Sequence, residues 1–402
     1  MPFADPTSLR RELAARLPDR PFTIKFWDGT VLPATADEGP TFTIRSPRAA
    51  MHALRAPGQL GLGRAYVSGE LEVDDIDAVI GLLDGWQPPS LDGADKRALA
   101  LGAVRAAGLT KPPPRPAAEL VPSGRRHSKE RDARAVRHHY NVGNEFFSLF
   151  LDESMTYSCA NWFRSGAKTL EEAQEAKLDM VATKLDLKPG ERMLDVGAGW
   201  GSMSIRAAKN YGVDVVGITL SEPQAEEARR RAEAAGVGDK VDFRVMDYRD
   251  LRGERFDAIS SIGMAEHVGA VQIDAYAQTL ADLLEPGGRL LNHAIGRLRH
   301  TDGEAGAFSE RYVFPDGAPL HLSRMLLALE RAGFEVHHVE DFRPDYAETL
   351  RHWANRLDEN LERATELAGP ERIRVWRLYL RAARNGFEKG FISIFQARCE
   401  KS

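Results

Sequence analysis

Between about residues 170 and 262 the chain switches repeatedly between two hydrophobic periods, and this alternation restricts it to one class of fold. LEEAQEAKLDMVATKLDL carries apolar residues at helical spacing and is stopped by Pro189 and Gly190. RMLDVGAGWG follows as a short apolar strand running into a glycine-rich turn. SMSIRAAKNYG then reads as helix, VDVVGITLS as strand, EPQAEEARRRAEAAG as helix, and VDFRVMD and FDAISSIGM as strands. Such alternation implies an α/β, Rossmann-like, mostly parallel doubly wound sheet with right-handed crossovers. Ligands bind such sheets outside the carboxyl ends of the strands, at the switch point.

The turn DVGAGWG supplies Gly197, Gly199 and Gly201, where the absence of a Cβ lets backbone approach a ligand. A dinucleotide fold would carry G-x-G-x-x-G; here the spacing is G-x-G-x-G, with Asp195 just before it. That pattern suits S-adenosylmethionine, which has no pyrophosphate to seat on a helix N-terminus but has an amino-acid tail. At the end of the second strand, where such folds usually place an acid to hold ribose hydroxyls, stands Thr219, so Thr219 and Gln224 must do that work. Asp247 and Tyr248, at the end of the third strand, are placed to meet the adenine edge and face; a plain surface turn is the competing reading of DYRD.

With 402 residues, 43% of them hydrophobic, the chain has room for two or three domains. Residues 1–90 read as a small N-terminal α/β accessory domain, in which FTIKFWDGTVLPA alternates around an Asp-Gly turn. Residues 91–135 read as a proline-rich basic linker and 136–402 as the catalytic domain. From Asp95 to His139 eleven Lys and Arg stand against four acids, a local +7 in a chain of formal charge -5. The segment reads as a solvated linker or as a patch for anionic lipid headgroups. The overall charge argues against a nucleic-acid partner. Cys159 and Cys399 form no disulfide framework, no metal-ligand spacing stands out, and neither an export signal nor a membrane span is visible. A cytoplasmic protein, peripherally associated with the inner face of the membrane, is expected.

HHYNVGNEFFSLFLDESMTYSCANW, LEEAQEAKLDM, LDVGAGWGSMSIRAA, VVGITLSEPQ, DYRDL, SIGMAEHVG, LLNHAIG, RYVFPDG and DYAETL occur in order from about residue 136 onward. Together they resemble the cyclopropane-fatty-acid synthase family of S-adenosylmethionine-dependent lipid methyltransferases, including the actinobacterial branch that makes 10-methylene and 10-methyl chains. The resemblance implies methyl transfer to a cis double bond of an unsaturated phospholipid acyl chain. An alkene is a poor nucleophile, so it must be aligned with the sulfonium methyl and kept dry. The cation left in the chain is helped by aromatic faces, with Phe147, Trp162, Tyr312 and Tyr346 as candidates.

The resemblance also implies a bound bicarbonate ion as proton acceptor, held by Cys159, Glu266, His293, the backbone at Ile295, and Tyr346. It carries Tyr157, Ser158, Gly197, Gly199, Thr219, Gln224, Asp247 and Tyr248 over as cofactor contacts. His267 is expected to fix the turn beside Glu266, and His138 and His139 to serve a lid or face headgroups. Two positions depart from the family: Ala198 replaces a cysteine, and Ala265 replaces an aromatic next to the presumed reaction centre. The second leaves two products open, a cyclopropane or a methylene branch needing a separate reductase. Self-association through the N-terminal domain is a further expectation. A small-molecule N-methyltransferase and a non-catalytic lipid-binding relative are the competing readings.

Overall fold

The computed structural model describes residues 4–36, 39–108, 110–121, 123–140, 142–300 and 306–402; Asn141 of the HHYNVGNEFF motif lies outside them. The chain forms two compact units. One comprises Met1–Leu120, Gly306–Val313 and Ala368–Ala382, the other Val121–Ala305, Phe314–Leu367 and Ala383–Ser402.

In the first unit four short strands, β1 (Thr23–Lys25), β2 (Val31–Leu32), β3 (Thr41–Ile44) and β4 (Leu71–Val73), pair in the order β2-β1-β3-β4. The Asp-Gly turn closes the first hairpin: Gly29 sits at φ 83°, and Asp28 accepts a hydrogen bond from the Thr30 amide at 2.9 Å. Leu9, Phe22, Ile24, Phe26, Ala103 and Ala106 form its core. The last two belong to a helix, Gly93–Ala107, in a stretch where the proline content suggests linker. Asp92 and Asp95 form a reciprocal capping box there, and burial of the alanine stripe completes the stabilisation. A second helix, Lys129–Tyr140, also begins inside the expected linker, in the second unit.

The second unit is built on β5 (Arg192–Val196), β6 (Asp214–Thr219), β7 (Val241–Val245), β8 (Phe256–Ile262), β9 (Leu284–Arg297), β10 (Leu320–His321), β11 (Phe334–Asp341) and β12 (Ser393–Lys401). They are ordered β11-β12-β9-β8-β5-β6-β7, with β10 beside β9. Neighbours from β7 to β9 are parallel, while β12 runs antiparallel to both β9 and β11. Successive residues of β5 feed opposite cores, as expected for a strand covered on both faces. Met193 packs with Val215, Ala258 and Val181, and Leu194 with Val216, Ile259 and Leu280. The chain passes from β5 out to β7 and returns to β8 on the other side of β5, which creates the switch point. The helix Leu170–Lys184 is set by a capping box of Thr169 and Glu172 and packs on one face of this sheet. Among the described residues no helix is long and apolar enough to cross a membrane.

Candidate active site

Each of β5, β6, β7 and β8 ends at one cavity of about 160 Å³. Its wall contains Tyr157, Ser158, Asp195, Gly197, Gly199, Thr219, Gln224, Asp247 and Tyr248, nine of the ten residues read from the sequence as cofactor contacts. Gly197 (φ 83°) and Gly199 (φ 55°) adopt left-handed conformations in that wall. A Cβ on Gly199 would meet nothing within 4 Å, so this backbone is open to a ligand. Gly201 is different. A Cβ there would lie 2.6 Å from the Phe243 ring and 3.1 Å from Ala228, so this glycine admits the core rather than a cofactor.

Asp195 is buried, its two oxygens accepting from Ser204 (2.7 Å) and Ser260 (2.8 Å), which ties the turn to the following helix and to β8. Burial pushes its carboxyl up from the usual range. The Thr219 hydroxyl donates to Gln224 Oε1 at 2.8 Å, leaving the Gln224 NH₂ as the donor end of this neutral pair. Asp247 is gripped by Arg249, whose Nε and Nη2 lie 2.8 and 2.6 Å from its oxygens. Burial pushes Asp247 up, but the Arg249 hydrogen bonds and charge outweigh it and hold the carboxylate below its usual range. Tyr248 is buried edge-on to Tyr276, and burial pushes its hydroxyl to about 12.

Lys177 was missed by sequence reading although it occupies the apolar stripe of its helix, seven residues after Leu170. It is fully buried, lines the cavity, donates to Ser158 Oγ at 2.8 Å, and is pushed down to about 8 by burial. One turn earlier Gln174 donates to the carbonyls of Thr156 (3.2 Å) and Ser158 (2.9 Å), so the two side chains clamp the Tyr157 loop. His267, expected to brace the turn, is in the cavity wall, and burial lowers it to about 4. His139 is buried, with Nε2 3.3 Å from the Tyr157 hydroxyl and its ring 4.4 Å from that of Phe314. It is therefore an interior residue rather than one facing headgroups.

Of the five residues read as holding an ion, His293 and Ile295 lie on the C-terminal half of β9, Glu266 meets that strand at Ile295, and Cys159 and Tyr346 are linked to it through Phe342. The amide of Gly263 donates to the His293 carbonyl at 2.8 Å. The Glu266 carboxylate takes a hydrogen bond from the Ile295 amide, so the Ile295 N–H expected to face the ion is engaged by Glu266 instead. Burial pushes Glu266 up to about 7, and its Oε2 has no protein partner among the described residues. His293 is fully buried and held well below its usual pKa by that burial; its Nε2 likewise has no protein partner. The Phe342 ring stacks 6.2 Å from His293, and its carbonyl lies 3.7 Å from the Cys159 sulfur and accepts from the Tyr346 amide at 3.0 Å. Cys159, His293 and Tyr346 thus gather around one phenylalanine. Burial raises the Cys159 thiol well above its usual value and Sγ lies 3.2 Å from the Ala160 carbonyl, so it is no nucleophile.

Of the aromatic candidates, Tyr346 packs edge-on to Trp353, which stacks on Tyr157 at 5.0 Å. Phe147 packs against Tyr157 and Trp200. Trp162 stacks on His352 and donates to Thr349 at 3.0 Å. Tyr312 belongs to the first unit, where its hydroxyl donates to Glu119, itself held bidentately by Arg64, and so is a structural residue. Ala265 is buried in the core, above a hollow of about 20 Å³ lined by Glu266, Asn292, Ala294 and Met325 among others. Among the described residues there is no group of three potential metal ligands.

A doubly wound sheet whose glycine-lined switch-point cavity carries a neutral Thr-Gln pair and an Asp-Tyr pair in its wall defines an S-adenosylmethionine-dependent methyltransferase. Residues 127–397 match the sequence model of the family described as Mycolic acid cyclopropane synthetase, and the chain belongs to that family. It is 38% identical over 383 residues to a probable fatty acid methyltransferase of Pseudomonas putida, covering 94% of this chain and 91% of the relative. It is 34% identical over 340 residues to the cyclopropane-fatty-acyl-phospholipid synthase of Escherichia coli K12, covering 84% and 82%. Among solved structures, mycolic acid cyclopropane synthase CmaA1 complexed with SAH and CTAB superposes with a TM-score of 0.63 at 33% identity, over 67% of this chain and 98% of that one.

Proposed function

We propose that the enzyme methylates a cis double bond of an unsaturated phospholipid acyl chain, such as oleoyl, with bound bicarbonate as the proton acceptor. The observation that carries this reading is a pair of buried atoms without a protein partner among the described residues: Glu266 Oε2, in the turn after β8 whose carboxyl meets the Ile295 amide of β9, and the ring nitrogen His293 Nε2 on β9 itself. A carboxylate and a neutral imidazole, each with one atom left free, suit an ion that carries both an O–H and bare oxygens. When bound, S-adenosylmethionine supplies the electrophilic methyl group and bicarbonate the basic oxygen. Glu266 then accepts the ion's hydroxyl, His293 donates to an oxygen, and Tyr346 and the Cys159 segment close the remaining sides. The ring of Tyr157, in the cavity wall and backed by Trp353, and that of Tyr346 are the faces offered to positive charge in the acyl chain, at about 0.5 to 2 kcal/mol per ring.

The lipid is met at the inner membrane surface. On the helix Gly93–Ala107, Leu101 and Val104 are about half exposed beside exposed Arg97 and Arg105, a basic and apolar face suited to a headgroup boundary. Arg126, Lys129 and Arg131, by contrast, are paired with Asp316 or Asp250, and the local positive charge is smaller than the sequence implies. Self-association of the N-terminal unit, and a separate reductase for a methylene product, complete the reading. Incubation with methyl-labelled cofactor and oleoyl phospholipid vesicles tests it: label is expected in the acyl chain, and its absence there would sink the lipid assignment. NMR of the product separates upfield cyclopropane protons from vinylic methylene protons, which mass cannot do because the two are isomers.

A further inference from the structure

His293 has two ring nitrogens, and only one hydrogen-bonding sense serves an anion. Its Nδ1 lies 2.9 Å from Gln396 Nε2, and Gln396 Oε1 lies 2.7 Å from Lys184 Nζ. An ammonium has three donors and no acceptor, so the amide must turn its oxygen to Lys184 and its NH₂ to the imidazole. The imidazole Nδ1 therefore accepts, and the ring proton of the neutral histidine resides on Nε2. Lys184 is in turn anchored by Glu340 at 2.5 Å and lies 5.0 Å from the centre of the Phe342 ring. Gln396 and His293 are directly paired across β12 and β9, so the backbone register holds the two side chains opposite one another.

We infer that Lys184 and Gln396 form a positioning relay that fixes His293 as the Nε2–H tautomer and so makes it a donor toward the proposed ion. The inference rests on the bicarbonate reading for its purpose, but not for its geometry. Nothing else among the described residues engages Nε2, whose burial without a partner would otherwise be a standing cost. In the opposite tautomer, Nε2 would present a lone pair to the oxygens of an anion and could not donate to it. Neither Lys184 nor Gln396 touches reacting atoms in this scheme; both act through the imidazole.

The test is nitrogen NMR of the full-length protein labelled with ¹⁵N-histidine, without substrate. A pyridine-type Nδ1 and a pyrrole-type Nε2 are expected for His293, and the reverse assignment would overturn the relay. Lys184→Met frees the Gln396 amide to turn over, and the Nδ1–H form should become populated; Lys184→Arg keeps a donor and should restore the wild-type spectrum. A wild-type spectrum in Lys184→Met would equally overturn the relay. Affinity for S-adenosylhomocysteine should stay within about twofold in both variants, while bicarbonate should bind on the order of tenfold more weakly to Lys184→Met. Bicarbonate dependence of wild-type turnover is measured separately, so loss of the bicarbonate reading is distinguishable from loss of the tautomer assignment.

Discussion

Replacing Glu266 by Gln should separate stability from activity, with a sign set by the buried carboxyl. Burial raises Glu266 from 4.5 to about 7. A carboxyl whose folded pKa lies above its unfolded one makes the folded state bind more protons, so stability falls as pH rises through that window. At about 1.36 kcal/mol per pH unit, the cost reaches a ceiling of roughly 3 kcal/mol above pH 7 and begins to be felt near pH 4.5. Between pH 5 and pH 8 the wild type should therefore lose roughly 2 to 3 kcal/mol that Glu266→Gln does not lose. The Gln side chain keeps an acceptor for the Ile295 amide but leaves an NH₂ where Oε2 was, a cost of about 1 to 3 kcal/mol that does not vary with pH. Comparing the two pH values cancels it. Urea unfolding of both proteins without ligands, at pH 5 and pH 8, measures the difference, and parallel curves would refute the argument. Methyl transfer in the same variant should fall steeply with S-adenosylhomocysteine affinity nearly intact; wild-type turnover would remove Glu266 from the chemistry.

Gly201→Ala would drive a Cβ to 2.6 Å from the Phe243 ring at φ 84° and should cost roughly 2 kcal/mol or more by thermal melting. Gly199→Ala meets no atom and should cost about 1 kcal/mol, its main effect being weaker S-adenosylhomocysteine binding by calorimetry. Ala265→Phe must place a ring over a hollow of about 20 Å³ and should destabilise by about 1 to 3 kcal/mol in urea, unless the surrounding core relaxes fully. Binding to anionic vesicles in a flotation assay should weaken as salt rises; salt-independent binding would argue against the basic face.

The sheet and its cavity were legible because helix and strand periods alternate cleanly and each strand's carboxyl end is marked by a polar or glycine residue. Gly201 misled because a glycine that admits a phenylalanine ring and one that admits a cofactor look alike in a string of letters. Lys177 was readable in principle, since a lysine on an apolar stripe must be buried or snorkel. The helix Gly93–Ala107 was obscured by flanking prolines, although Asp92 and Asp95 carry its start signal. Gln396 gave no local sign at all: its meaning comes from a β-register with a strand far away in the chain.

That separation also sets an order of events during synthesis. His293 and Gln396 are 103 residues apart, and Lys184 and Gln396 are 212 apart, whereas β5 to β8 follow one another closely. At roughly 5 to 20 residues per second, a ribosome needs about 5 to 20 s to pass from the histidine to its glutamine. For that interval a nascent chain can hold the strands of its cofactor cavity while the imidazole is still free to carry its proton on either nitrogen. Competence to bind the cofactor would then precede competence for catalysis.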